Sequence, residues 1–142
     1  VSAGVVFCGS DDGHLYALAL ESGQIYWRVP LGSQIRSSAA VGQGRVVVGT
    51  LEGKLCCLSA GDGDPLWTAQ TAEEILASPV IAGEVVYVGS KDGALYAFEL
   101  QSGEPLWRHQ TPYGMYSSPA VAENVLYVGL HYYDLVALAP EV

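Results

Sequence analysis

Three tryptophans stand 40 residues apart, at Trp27, Trp67 and Trp107, and they are not alone in that spacing. Gly9, Gly49, Gly89 and Gly129 keep it, as do Gly23, Gly63 and Gly103, and the register never slips by a residue. A period of this length means a stack or ring of one repeated supersecondary unit, because one such unit cannot bury its own apolar faces. The equivalent segments read VVFCGS at 5–10, RVVVGT at 45–50, VVYVGS at 85–90 and VLYVGL at 125–130. Each is a run of mostly β-branched or aromatic residues that reaches the repeat glycine.

Short apolar runs alternate with turn signals every 8–12 residues, a pattern of strands. Four strands per unit are predicted, in the second unit near 37–41, 45–49, 54–59 and 65–69. Asp12-Gly13, Glu52-Gly53 and Asp92-Gly93 mark hairpins between second and third strands, since glycine supplies the positive φ of a tight turn. The third strand, as in Leu15-Tyr16-Ala17-Leu18, is apolar at successive positions, so both its faces are expected to be buried. Small four-stranded antiparallel sheets packed on both faces against their own kind are the blades of an all-β propeller. No run longer than a turn has a 3.6-residue period, which excludes helical solenoids and leucine-rich repeats, and the Gly-His and Trp-Asp pairs of WD40 propellers are missing from their positions. With 50% hydrophobic and 15% charged residues, the chain is not of disordered composition.

The repeat divides residues 1–142 into a partial blade at 1–30, blades at 31–70 and 71–110, and a partial blade at 111–142. About three and a half blades cannot close, because propellers typically need 4–8 blades and an open end leaves strand edges and an apolar face bare. The expectation is half of a seven- or eight-bladed ring, completed by a second copy as a homodimer or by blades outside this sequence. The start at Val1-Ser2-Ala3-Gly4, with no Met, and the cut through a blade favour an excerpt. No apolar run is long enough for a membrane span.

Each repeat tryptophan follows a glycine by four residues: Gly23 and Trp27, Gly63 and Trp67, Gly103 and Trp107. With Ala17 and Ala97 six residues before Gly23 and Gly103, this resembles the tryptophan-docking pattern of the quinoprotein-like propellers built from PQQ-type repeats. Cys57 replaces the alanine in the second unit, and the family's aspartate position holds Ala19, Ser59, Glu99 and Ala139. The family occurs in an outer-membrane assembly lipoprotein, in sensor regions of bacterial serine/threonine kinases and in the C-terminal repeats of a β-alanine-activating enzyme. The resemblance therefore implies a non-catalytic module for ligand sensing or protein binding, and leaves periplasmic and cytoplasmic settings both open. It also admits a fragment of a PQQ-dependent dehydrogenase, in which an aspartate base and Ca²⁺ would work on the quinone; neither set can be located in the sequence. No cofactor is otherwise expected.

In this connectivity the loops leading into each blade share one face with the second-to-third-strand hairpins, and a ligand or protein partner is expected there. Ile35, Ile75 and Met115 are equivalent and read as packing, whereas the next position varies as Arg36, Leu76 and Tyr116. Arg36 offers a fork of donors for a carboxylate or a quinone oxygen. The last unit breaks the turn pattern, with Leu130-His131-Tyr132-Tyr133-Asp134 in place of Ser90-Lys91-Asp92-Gly93-Ala94. Tyr113, Tyr116, His131, Tyr132 and Tyr133 thus form a candidate contact patch, and a tyrosine at the glycine position implies a changed turn.

Cys56-Cys57 matches, by resemblance, the adjacent-cysteine disulfide over the cofactor of PQQ-dependent alcohol dehydrogenases. Their register in the middle of the third strand argues instead for buried free thiols on opposite faces. Cys8 aligns with Val48, Val88 and Val128 and reads as core. His14, His109 and His131 have no metal-ligand spacing, and Asp11, Asp12, Glu52 and Asp92 are explained by their turns. The serines at 37–38, 78 and 117–118 belong to the blade frame, with no base in register for nucleophilic catalysis. A net charge of −9 makes nucleic acid an improbable partner and points to a neutral or basic one.

Overall fold

The structure, a computed structural model, describes residues 1–132 and 134–139. These form four antiparallel sheets in which neighbours in sequence are neighbours in the sheet. The first holds β1 (Val5–Gly9), β2 (His14–Ala19) and β3 (Ile25–Pro30). The second holds β4 (Ala40–Gly42), β5 (Arg45–Gly49), β6 (Lys54–Ser59) and β7 (Pro65–Gln70). The third repeats it with β8 (Val80–Ala82), β9 (Val85–Gly89), β10 (Ala94–Glu99) and β11 (Pro105–Gln110). The fourth has β12 (Ala120–Ala122), β13 (Val125–Gly129) and β14 (Leu135–Leu138). The short strands β4, β8 and β12 lie side by side, as inner strands of a propeller do, and the four sheets do not close into a ring. An isolated bridge between Ser2 and Val5 repeats the rung between Gly42 and Arg45.

The inner strand begins later than its sequence suggests, at Ala40 rather than residue 37. Serine hydroxyls take over the bonding before it. Ser37 Oγ accepts from Gly49 N at 2.9 Å and donates to Gly49 O at 3.0 Å, replacing a main-chain rung. Ser38 N donates to Ser78 Oγ at 2.8 Å, and Ser78 N to Ser118 Oγ at 3.0 Å, so each of these serines joins its sheet to the one before. The outer strands carry a second feature that periodicity does not reveal. Ala17, Cys57 and Ala97 lie opposite Trp27, Trp67 and Trp107, and then the register skips Tyr26, Leu66 and Leu106. Such a skip bends the strand and re-aims its neighbours, and it leaves these three large apolar residues exposed beside each tryptophan.

Alternation along β6 explains its continuous apolar sequence. Cys56 and Leu58 enter one cluster with Leu15, Ile35, Val46 and Val48, between the first and second sheets. Leu55 and Cys57 point the other way, into a cluster with Ile75, Val86, Val88 and Phe98. A third cluster, with Leu95, Met115, Leu126 and Val128, joins the last two sheets. Each fully buried Val or Leu contributes roughly 1.5–3 kcal/mol, so these three seams hold the array together. Cys8 departs from the expectation of a core thiol. It is exposed, because its side of the first sheet has no sheet against it among the described residues, whereas equivalent Val48 is covered by the first sheet.

Two close approaches account for Gly9, Gly49, Gly63 and Gly103. Ile75 lies over Gly49 so tightly that a Cβ there would come within 2.1 Å of Cγ2, and Ile35 does the same over Gly9. At the sheets' other end, Trp67 covers Gly103, whose φ is +75° and whose Cβ would meet the indole at 2.6 Å. Trp67 Nε1 donates to Leu100 O at 2.8 Å, and Trp27, lying over Gly63, donates to Ala60 O at 3.3 Å. Trp27 and Trp67 are thus wedges into the following sheet, each set on that sheet's own glycine.

Candidate binding face

The loops 31–39, 71–79 and 111–119 lead into the second, third and fourth sheets and share one face with the hairpins after β1, β5, β9 and β13. Main-chain bonds stitch this face across the seams. Ile35 N donates to Ser10 O at 3.1 Å, Ile75 N to Thr50 O at 3.0 Å and Met115 N to Ser90 O at 3.0 Å, each to the preceding sheet's hairpin. Leu51 N donates back to Gln34 O at 2.9 Å, and Lys91 N to Glu74 O at 2.9 Å. The hydroxyl of buried Thr111 lies between two carbonyl oxygens, 2.9 Å from Gly93 O and 2.8 Å from Tyr113 O, with its one proton shared between them, and this sets the loop that carries Tyr113 and Tyr116. A Cβ on Gly114 would stand 2.9 Å from Lys91 O and 3.2 Å from the Tyr116 ring, so this loop needs its glycine.

The turn carboxylates are engaged where they stand. Asp12 accepts from His14 N at 2.8 Å and from the Tyr16 hydroxyl, which holds its pKa below the usual carboxylate value and pushes that of Tyr16 up. Asp92 accepts from Ala94 N at 2.8 Å and from the Tyr96 hydroxyl; burial, then this bond, raises the pKa of Tyr96. Arg36 has its fork on Asp11 of the preceding hairpin, Nε at 3.0 Å and Nη2 at 3.2 Å, and this bond lowers the pKa of Asp11. Asp11 takes the Nε side of the fork and leaves Nη1 and the second Nη2 hydrogen for any further acceptor. Lys91 meets Glu74 at 3.0 Å, which raises the lysine's pKa. Both ion pairs are exposed, where such pairs contribute little to stability.

At the fourth sheet the same face changes character. His131 and Tyr132 meet edge to face with centroids 4.5 Å apart, Tyr113 approaches Tyr132 at 5.3 Å, and Tyr116 approaches His131 at 5.5 Å. Loop and hairpin therefore bring together four of the five residues expected in the patch; Tyr133 lies outside the described residues. Tyr113, Tyr116 and Tyr132 are 38%, 46% and 67% exposed. Tyr132 has a φ of +69° at the position where Asp92 stands in the third sheet, a left-handed tyrosine that marks the altered turn.

Cys56 and Cys57 are free and buried on opposite faces of β6, and burial pushes both thiols up to about 11. They do not fit the adjacent-cysteine disulfide that a quinone site implies. Among the described residues no group of three or more His, Cys, Asp or Glu could hold a metal ion, and no helix is long and apolar enough to cross a membrane.

Four meandering sheets with wedged tryptophans, inner strands in contact and loops gathered on one face define an open segment of a β-propeller. The chain belongs to the PQQ-like repeat family, for the family profile described as outer membrane protein assembly factor BamB matches residues 2–141. Among solved structures, BamB from Moraxella catarrhalis is similar at 25% identity and a TM-score of 0.85, over 95% of this chain and 42% of that one. The computationally designed Ika4 protein is similar at 18% identity and a TM-score of 0.88, over 98% of this chain and 87% of that one. The quinohemoprotein alcohol dehydrogenase ADHIIG from Pseudomonas putida HK5 is similar at 21% identity and a TM-score of 0.81, over 92% and 27%. The chain thus spans less than half the length of the natural proteins in this comparison. No curated protein matches it in sequence.

Proposed function

We propose that this chain is a non-catalytic binding module, and that its contact surface is the face made by the lead-in loops and hairpins. The observation that carries this reading is the meeting of Tyr113, Tyr116, His131 and Tyr132 in solvent, where the scaffold alone needs no aromatic ring. Exposed Glu52, Glu73 and Asp134 on the same face favour a neutral or basic partner. The rings suit cationic and flat groups alike. The family's description as an outer membrane protein assembly factor supports a protein partner over a small molecule. The test is titration with an arginine- and tyrosine-containing peptide and its acidic counterpart, read by fluorescence anisotropy. The basic peptide binds, and Tyr116→Ala and Tyr132→Ala each weaken it about tenfold, the size of an exposed aromatic anchor. Unchanged binding in both variants removes these residues from the site.

The bare outer faces support a second part of the reading, that further blades complete a ring. Leu135 is 71% exposed, and Leu20 54%. A second copy or additional repeats of the parent polypeptide would cover them, and light scattering separates the two: a concentration-independent monomer excludes closure by self-association. The alternative reading, a piece of a quinoprotein dehydrogenase, draws support from the fold shared with ADHIIG. The separated cysteines weigh against it. A melting shift on adding PQQ with Ca²⁺ would reverse the preference.

A further inference from the structure

The outer mouth of the seam between the second and third sheets is a groove of about 490 Å³. One wall is the edge of β7, the outermost strand of a four-stranded sheet, which pairs only with β6 among the described residues. Thr71 N donates to Gly53 O at 2.8 Å, so the bonded pairs of this ladder fall at Thr71 and Ala69, and the N–H and C=O of Thr68 and Gln70 point away from β6, on the groove side. The floor is the facing side of the third sheet. Tyr96 and Phe98 stack there with centroids 5.9 Å apart and planes 3° apart, Leu106 is 51% exposed beside them, and the Arg108 guanidinium lies over the Tyr96 ring at 5.5 Å. Arg108 Nη2 donates to Gln110 Oε1 at 2.5 Å, and the guanidinium meets no carboxylate among the described residues.

The chain has 15 Asp and Glu and a net charge of −9, yet no acidic residue borders this groove and one arginine does. The first seam does not repeat the arrangement: Cys56, Leu58 and Thr68 stand where Tyr96, Phe98 and Arg108 stand, with neither ring nor cation. From a bare strand edge, an apolar floor and a cation opposite in sign to the rest of the chain, we infer that the groove binds an extended acidic peptide segment, paired antiparallel along residues 68–70. Successive side chains of a strand point to opposite faces, so residues two apart in the segment face the floor. Running antiparallel to β7, the segment first sets an aspartate or glutamate on Arg108, and then an aromatic or leucine side chain against Leu106 at the Phe98 end of the floor. Main-chain bonds supply affinity, and these two side chains supply selection. The groove lies on the flank, apart from the loop face, and does not depend on what binds there.

The test uses the chain as it is, ¹⁵N-labelled, and a capped threonine-based peptide with glutamate two residues before phenylalanine. The Thr68 and Gln70 amides shift saturably and gain protection from hydrogen exchange. Glutamine in place of the glutamate weakens binding about fivefold, the size of one exposed charge pair. Arg108→Gln weakens the glutamate peptide by the same factor and leaves the glutamine peptide unchanged, which a merely structural role for Arg108 would not do. If Arg108→Gln does not fold, the comparison of the two peptides on the native chain decides alone. No saturable shift at millimolar peptide, or equal binding of the two peptides, overturns the assignment. Shifts confined to Tyr116 and His131 also overturn it, placing the peptide on the loop face, as do shifts at 68–70 that follow protein concentration without peptide, which give the edge to a second copy.

Discussion

β6 and β14 occupy the same position in the repeat and have similar apolar sequences, yet Leu55 is fully buried and its equivalent Leu135 is 71% exposed. β6 has a strand on each edge and a sheet on each face; β14 has one of each among the described residues. The difference teaches that the repeat encodes the seams as much as the sheets. The same contrast separates Gly103, pressed by Trp67, from Gly23, around which a Cβ would meet nothing within 4 Å, though both have positive φ.

The largest effect expected is at these glycines. Gly103→Val adds overpacking against an indole to a left-handed backbone and costs about 4 kcal/mol, whereas Gly23→Val bears the backbone cost alone, about 2 kcal/mol. Urea unfolding checks the pair, and equal costs would break the comparison. Leu55→Ala comes next, at about 3 kcal/mol, against less than about 0.5 kcal/mol for Leu135→Ala. A large loss at Leu135 would mean that its face is covered in solution.

Thiols give the smallest effect. With a disulfide reagent at pH 8, exposed Cys8 reacts at once and Cys56 and Cys57 only on unfolding. Burial raises the last two from 9.0 to about 11, which favours the neutral thiol in the folded state. Their contribution to stability is whole below pH 9 and is lost as the pH rises towards 11, because the unfolded thiols ionise first. A melting temperature that falls over this window in the native chain and falls less in Cys56→Val bears this out.

Much of the fold was legible because the repeat leaves no freedom of register: glycines and tryptophans 40 apart marked every sheet. Where side chains replace main-chain bonding the pattern misled, as at Ser37, whose hydroxyl delays β4. The register skip at Leu66 carries no periodic signal, and Arg36 gave no sign of Asp11, 25 residues away. Cys8 misled for another reason, since alignment identifies a seam position and not whether the seam is filled. The aromatic patch was legible as a departure from the repeat at 131–133, but its assembly with Tyr113 and Tyr116 rests on Thr111 and Gly114, whose roles appear only once the loop is folded.

The most direct test of the binding-module account is a chemical-shift map of the labelled chain on adding the basic peptide. The account predicts perturbations gathered on Tyr113, Tyr116, His131 and Tyr132, abolished in the Tyr116→Ala, Tyr132→Ala double variant. Perturbations confined to the opposite loops or to the outer face of the first sheet, or unchanged in that variant, would contradict it.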